Sequence, residues 1–150
     1  VRLNSPFRAE NGFTVLELLI VVSIACIMAP ISFLTFSRLS DAQSMRQFAE
    51  EVRETISEAQ MEAITESTPI TIIFNTDQHF FLVSKRNKTV KKAMDPRIKL
   101  YSNVNKSDIL ISRIGSFSKP GTYTFSMNTI RYNLVLLLGQ GRFYIDKAKW

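Results

Sequence analysis

The stretch NGFTVLELLIV, Asn11–Val21, decides how the rest of the chain is read. Its last six positions are aliphatic except for one, and that one is Glu17. The stretch opens a run from Phe13 to Phe36 in which Glu17 is the sole charge. A helix needs about 20 apolar residues to cross a bilayer, so residues 13–36 are read as a transmembrane helix. A carboxylate at bilayer depth costs at least about 2.5–3.5 kcal/mol on insertion scales, which marks Glu17 as a functional residue. In an uncleaved anchor it would simply snorkel to one membrane face. Gly12-Phe13 directly upstream suggests something more specific. Cleavage after Gly12 would free the Phe13 amine, and that amine and the Glu17 carboxylate would be complementary charges at the head of an apolar helix.

Other signal types fit less well. A secretory signal has an apolar region of 7–15 residues followed by a small-residue cleavage site, and this run is longer. Ala25-Cys26 resembles a lipidation junction, but Ser23 stands three before the cysteine where a large aliphatic is expected. Cys26 is the one cysteine, so no intrachain disulfide forms. In an apolar run a thiol behaves as a small hydrophobe, and Cys26 is expected to be buried. Pro30 lacks a backbone donor, so a kink or local melting is expected near Met28–Ser32.

GFTVLELLIVVSI, Gly12–Ile24, resembles the N-terminal class III signal of type IV pilins and pseudopilins. The likeness lies in a short polar leader ending in Gly12, Phe13 at the first mature position, Thr14 next, and Glu17 at the fifth. It implies that a prepilin peptidase cuts between Gly12 and Phe13 and methylates the Phe13 amine. It also implies that Glu17 recruits the subunit into a helical filament by pairing with the Phe13 amine of a neighbour. The length, the lack of a disulfide and the ending VLLLGQGRFYIDK, Val135–Lys147, are similar to minor pseudopilins of Gram-positive competence systems. The partners implied are major and minor pilin subunits, the prepilin peptidase and, indirectly, an assembly ATPase and a membrane platform protein. The implied location is a single membrane pass, with the leader in the cytoplasm and the C-terminal domain outside, and then the surface pilus.

Beyond the apolar run, Met45, Phe48, Val52, Ile56, Ala59 and Ala63 recur at intervals of three and four. That is one helical face, so residues 37–68 are read as an amphipathic extension of the same helix. Thr68-Pro69 should end it, since a residue before proline leaves the α region. Glu54, Glu58, Glu62 and Glu66 form an acidic stripe roughly opposite, read as a solvated face or as a surface for basic patches of neighbouring subunits.

Residues 69–150 hold the β signals. ITIIFN and HFFLVSK, separated by TDQ, read as a hairpin. IKLYSN, ILISRI and TYTFSM follow, and RYNLVLLLG and GRFYIDK form a closing hairpin across Gln140. The expected fold is α+β: a long N-terminal helix on a mostly antiparallel sheet of about seven strands. The domains are a leader at 1–12, the membrane helix at 13–36, its extension at 37–68 and an extracellular β domain at 69–150.

Charge is unevenly spread. Residues 69–150 carry fourteen Lys/Arg against four Asp/Glu, whereas residues 37–68 carry seven acids against three arginines. KRNKTVKKAMDPRIK, residues 85–99, is read as a basic loop. Lys85, Arg86, Lys88, Lys91 and Lys92 are its candidate contacts to DNA phosphates or other anions. It lacks the aromatic residues that single-strand binders interleave with charge. No catalytic constellation, metal cluster or cofactor motif stands out, and His79, the one histidine, begins an expected strand. The reading is therefore a non-enzymatic minor pseudopilin of a competence pilus, needed for DNA uptake. The alternatives are a minor pseudopilin of type II secretion and a membrane-anchored enzyme or binding module.

Overall fold

Helix α1 runs from Val15 to Thr65. The structure, a computed structural model, describes residues 14–86, 88–104, 108–139 and 141–148, without the side chains of residues 32–38. The chain divides into two units, residues 1–39 and 40–150. In the first, every described side chain from Thr14 to Ile31 is exposed. A helix that is apolar on all sides needs lipid or other chains around it. Among the described residues no helix is long and apolar enough to cross a membrane. The expected run 13–36 also includes Phe13 and the side chains of residues 32–36, which lie outside the description. Two expectations need correction. Cys26 is exposed rather than buried, because a lone helix has no second surface to cover it. Of the kink or local melting expected at Pro30, the melting does not occur, since the helix continues through it. Proline removes one donor, and the turns on either side keep theirs.

In the second unit α1 buries Met45, Phe48, Ala49, Val52, Ile56, Ala59 and Ala63, the face the spacing marked. Each large aliphatic side chain buried this way stabilises by about 1.5–3 kcal/mol. The helix ends at Thr65, ahead of Pro69, in a Schellman closure. Thr68 N donates to Ala63 O at 3.1 Å and Ser67 N to Ile64 O at 3.4 Å, with Ser67 at φ 51. A left-handed residue at this place lets the last carbonyls find donors.

Among the described residues eight strands follow, where about seven in a single sheet were expected. They are β1 (Ile70–Asn75), β2 (Phe80–Ser84), β3 (Thr89–Ala93), β4 (Lys99–Ser102), β5 (Asp108–Ile111), β6 (Gly121–Met127), β7 (Ile130–Leu136) and β8 (Phe143–Lys147). They make two four-stranded sheets in the orders β3-β2-β1-β5 and β4-β6-β7-β8, with antiparallel pairing throughout. The extra strand, β3, lies inside the segment expected to be a basic loop. Its TVKKA sequence is weakly apolar because an edge strand needs only one covered face, and lysines on an edge discourage further pairing. His79 lies before β2 with φ 56, so it closes the turn rather than beginning the strand.

Phe48 of α1 joins the layers. Its ring meets Phe81 of the first sheet at 6.3 Å and Phe125 of the second at 5.1 Å, both edge-on. Phe74 of the first sheet also reaches Phe125, at 5.2 Å. Edge-to-face aromatic packing adds about 0.5–1.5 kcal/mol per pair beyond area burial. The α+β expectation, a helix packed on antiparallel β structure, is met.

Candidate functional site

The first candidate site is the start of α1. Gly12 and Phe13, the expected cleavage and methylation positions, lie outside the described residues. Thr14 precedes the helix and caps it: Glu17 N donates to Thr14 Oγ1 at 3.2 Å, and Leu18 N to Thr14 O at 3.1 Å. Glu17 is the acidic residue of the first turn and is exposed. A carboxylate there complements the positive end of the helix dipole. The order Thr14-x-x-Glu17 is a capping-box pattern, a signal the sequence reading passed over. The hydroxyl residue beside the expected cleavage point therefore has a local task, as does the glutamate.

The second candidate is the basic segment. The structure does not gather its five cations into one surface. Lys85 and Lys88 close the turn between β2 and β3, where Lys85 N donates to Lys88 O at 2.8 Å. The Lys85 ammonium pairs with Glu62 of α1. Lys92 on β3 faces the helix too, donating to the buried Thr55 hydroxyl at 2.8 Å with Glu51 at 4.0 Å. Lys91, its neighbour, points to the opposite face and lies over the Phe80 ring at 4.0 Å. Arg86 and Lys88 are exposed. Alternation along β3 splits the cluster, since successive side chains leave a strand on opposite faces. Part of the acidic stripe is likewise used within the chain: Glu62 holds Lys85, while Glu54, Glu58 and Glu66 remain exposed.

A third arrangement was invisible in the linear order. The outer face of the second sheet carries a groove of about 510 Å³ whose lining includes Arg97, Lys99, Tyr101, Thr124, Ser126 and Arg131. Lys99 pairs in register with Ser126, and Ser126 with Arg131, so the three form one row across β4, β6 and β7. Tyr101 lies opposite Thr124 in the next row on this face and is 60% exposed. Arg97 is held in place by acids. It donates to Asp95 Oδ2 at 2.8 Å and to Asp41 Oδ1 at 2.5 Å, and Asn128 donates to Asp41 Oδ2 at 2.7 Å. The hydrogen bond and charge of Arg97 hold Asp95 below the usual carboxylate range, and Asp95 in turn raises Arg97. Sequence reading listed cations by proximity along the chain. Lys99 and Arg131 are 32 positions apart and are brought onto one cross-strand row by register.

Among the described residues no group of three His, Cys, Asp or Glu side chains could hold a metal ion. The closing hairpin has a structural role. Gln60 Nε2 on α1 donates to Gly115 O at 2.7 Å and to Gly141 O at 2.6 Å, tying two turns to the helix.

No family model matches the chain. Over 145 residues, 97% of this chain and 99% of the relative, it is 22% identical to competence protein ComGD of Bacillus subtilis (strain 168). In fold it is similar to the type IV minor pilin FimU of Pseudomonas aeruginosa (strain PAO1). That likeness has a TM-score of 0.55 and 16% identity, over 67% of this chain and 91% of that one. The second likeness speaks to fold alone. The chain thus resembles ComGD along nearly its whole length and has a pilin-like fold.

Proposed function

We propose that the chain is a minor subunit of a competence pilus, a structural rather than a catalytic component of DNA uptake. The observation that carries this reading is the likeness to ComGD along nearly the whole chain, together with the GFTVLE motif at the same end as the exposed apolar helix. In this reading a prepilin peptidase cuts between Gly12 and Phe13 and methylates the new amine. The apolar run 13–36 holds the subunit in the membrane as a single pass until it enters the filament, and the β domain lies outside the cell. Glu17 then pairs with the Phe13 amine of a neighbouring subunit. Its cost in lipid becomes a drive toward assembly, because a paired charge is far less costly than an isolated one. The exposed position of Glu17 in the first turn is compatible with such a partner.

A deletion strain scored for transformation and for pilus formation tests the assignment: both should fall. Normal transformation would remove the competence role. Incubation with a prepilin peptidase tests the processing, and failure to lose residues 1–12 would sink it. Glu17→Val should keep membrane insertion and cleavage and lower the amount recovered with sheared pili.

A further inference from the structure

Three exposed apolar side chains of the second unit stand together. Met61 and Ile64 of α1 and Ile114 of the connection between β5 and β6 line a groove of about 300 Å³, with Gln60, Gly115 and Gly141. Ile114 is 79% exposed, and Leu138, in the turn that holds Gly141, is as open. Single apolar side chains are ordinary on a surface, whereas a group of them marks an interaction site. The groove has a fixed form. Gln60 ties both turns to α1 through the Gly115 and Gly141 carbonyls, and Ser112 N donates to Ser116 O at 2.8 Å across the turn that carries Ile114. Its helical wall runs from Ser57 to Ile64, about 10 Å or two turns. Arg113 and Arg142 adjoin the lining residues Ile114 and Gly141 in sequence, and both are exposed. Among the described residues no carboxylate pairs with either guanidinium.

We propose that this groove docks an acidic amphipathic helix of a second, different pilin-like subunit, with aliphatic side chains in the groove and carboxylates toward Arg113 and Arg142. A helix enters such a groove through residues spaced three and four apart. A preformed groove loses little freedom when it is filled, and unpaired cations at its rim select a partner of opposite charge. A second copy of this chain matches poorly. The exposed ridge of its α1 before Ser57 is Gln43, Arg46, Gln47, Glu50 and Glu54, which supplies carboxylates and no aliphatic side chain. The apolar start of α1 has the opposite defect, since its one carboxylate, Glu17, is assigned to the Phe13 amine in the filament reading.

The proposal rests on the reading of the chain as a pilus subunit and gives one face of it a partner of stated chemistry. Its test places a photoreactive amino acid at position 114 of the full-length chain, in cells that assemble the pilus, and maps the cross-linked peptides by mass spectrometry. The product should join position 114 to another pilin-like subunit, at a segment with aliphatic residues spaced three and four apart and flanking Asp or Glu. The same amino acid at Thr89, on the opposite edge of the first sheet from β5, should not give this product. Arg113→Glu with Arg142→Glu should lower the yield about fivefold or more. Replacing the mapped carboxylates of the partner by lysine in that background should restore most of it. Unfolding midpoints equal to the parent protein's would show that the variants are folded. A cross-link to a second copy of this chain, to a segment without carboxylates or to no protein would overturn the proposal. So would a yield unmoved by the arginine reversal or not restored by the lysines. Normal transformation in the deletion strain would remove the competence role and leave this cross-link in place, so the two failures are distinguishable.

Discussion

Arg97 donates through Nη1 to Asp41 Oδ1 at 2.5 Å, joining the connection after β3 to the first turns of the helix in the second unit. Asp41 is 9% exposed, one of two buried polar or charged residues in the described chain. Its second oxygen accepts from Asn128 between β6 and β7. One carboxylate thus gathers three elements that are far apart in sequence. Asp41→Ala should lower stability by about 1.5–3 kcal/mol, the range for hydrogen bonds to a charged group. Arg97 is half-exposed, and solvent screening places the loss toward the low end. Urea unfolding of the full-length chain in detergent measures it.

The neighbouring Asp95 makes stability depend on acid. Arg97 stabilises its charged form, so the folded value lies below the ordinary 3.8. The contribution is therefore complete above 3.8 and disappears as pH falls through the lower folded value. Asp95→Asn should flatten this part of the stability profile below pH 3.8 and leave its shape near neutral pH unchanged. An unaltered acid limb would contradict the assignment.

Gly141 and Gly139 should differ under substitution. Both have positive φ, +66 and +95. A Cβ on Gly139 meets open space, so Gly139→Ala should cost only the left-handed backbone penalty of about 1–2 kcal/mol. A Cβ on Gly141 would land on the Gly115 carbonyl oxygen, the same atom that accepts from Gln60. Gly141→Ala should therefore cost more than Gly139→Ala and loosen the turns that Gln60 ties down. Unfolding midpoints of the two variants, compared side by side, decide it.

Thr14 should matter to the helix end more than a generic surface threonine. Thr14→Ala removes the acceptor for the Glu17 amide, and loss of such a cap costs about 0.5–2 kcal/mol. Amide hydrogen exchange at Glu17 should speed up, while Thr14→Ser should keep parental protection. Equal exchange in the two variants would show that the cap contributes nothing.

Tyr123 is fully buried on β6, and its hydroxyl donates to Asp108 O at 3.0 Å. Burial, with a smaller effect of the Asp108 charge, raises its pKa above 10.0. The neutral form is the one the fold accepts, so its contribution is complete below pH 10.0 and is lost as pH rises through the folded value. Tyr123→Phe should lower stability by about 1 kcal/mol at neutral pH. It should also remove that part of the alkaline loss, which an unfolding series from pH 8 upward would detect.

Much of the architecture is readable from residue order because it depends on local periodicity. The spacing Met45, Phe48, Val52, Ile56, Ala59, Ala63 is a helical face, and all six are buried. The runs around β1, β2, β6, β7 and β8 announce themselves by β-branched and aromatic residues bounded by turn chemistry. Strand β3 escaped that reading because a lysine-rich edge strand has no apolar signature of its own. The division into two sheets escaped it as well, since strand partners depend on contacts between distant residues.

The same physics divides the functional residues. The Thr14 cap and the charge of Glu17 at the head of an apolar run are both defined by neighbours along the chain. The fate of the cations is not. Lys91 and Lys92 are adjacent in sequence and turn to opposite faces, one over Phe80 and the other onto Thr55. Lys99 and Arg131 are distant in sequence and share one face through Ser126. Residue order by itself determined the helix, its apolar start and the net charge of the C-terminal half. Only the tertiary structure decided which face each charge takes, because strand pleat and register set the side-chain directions.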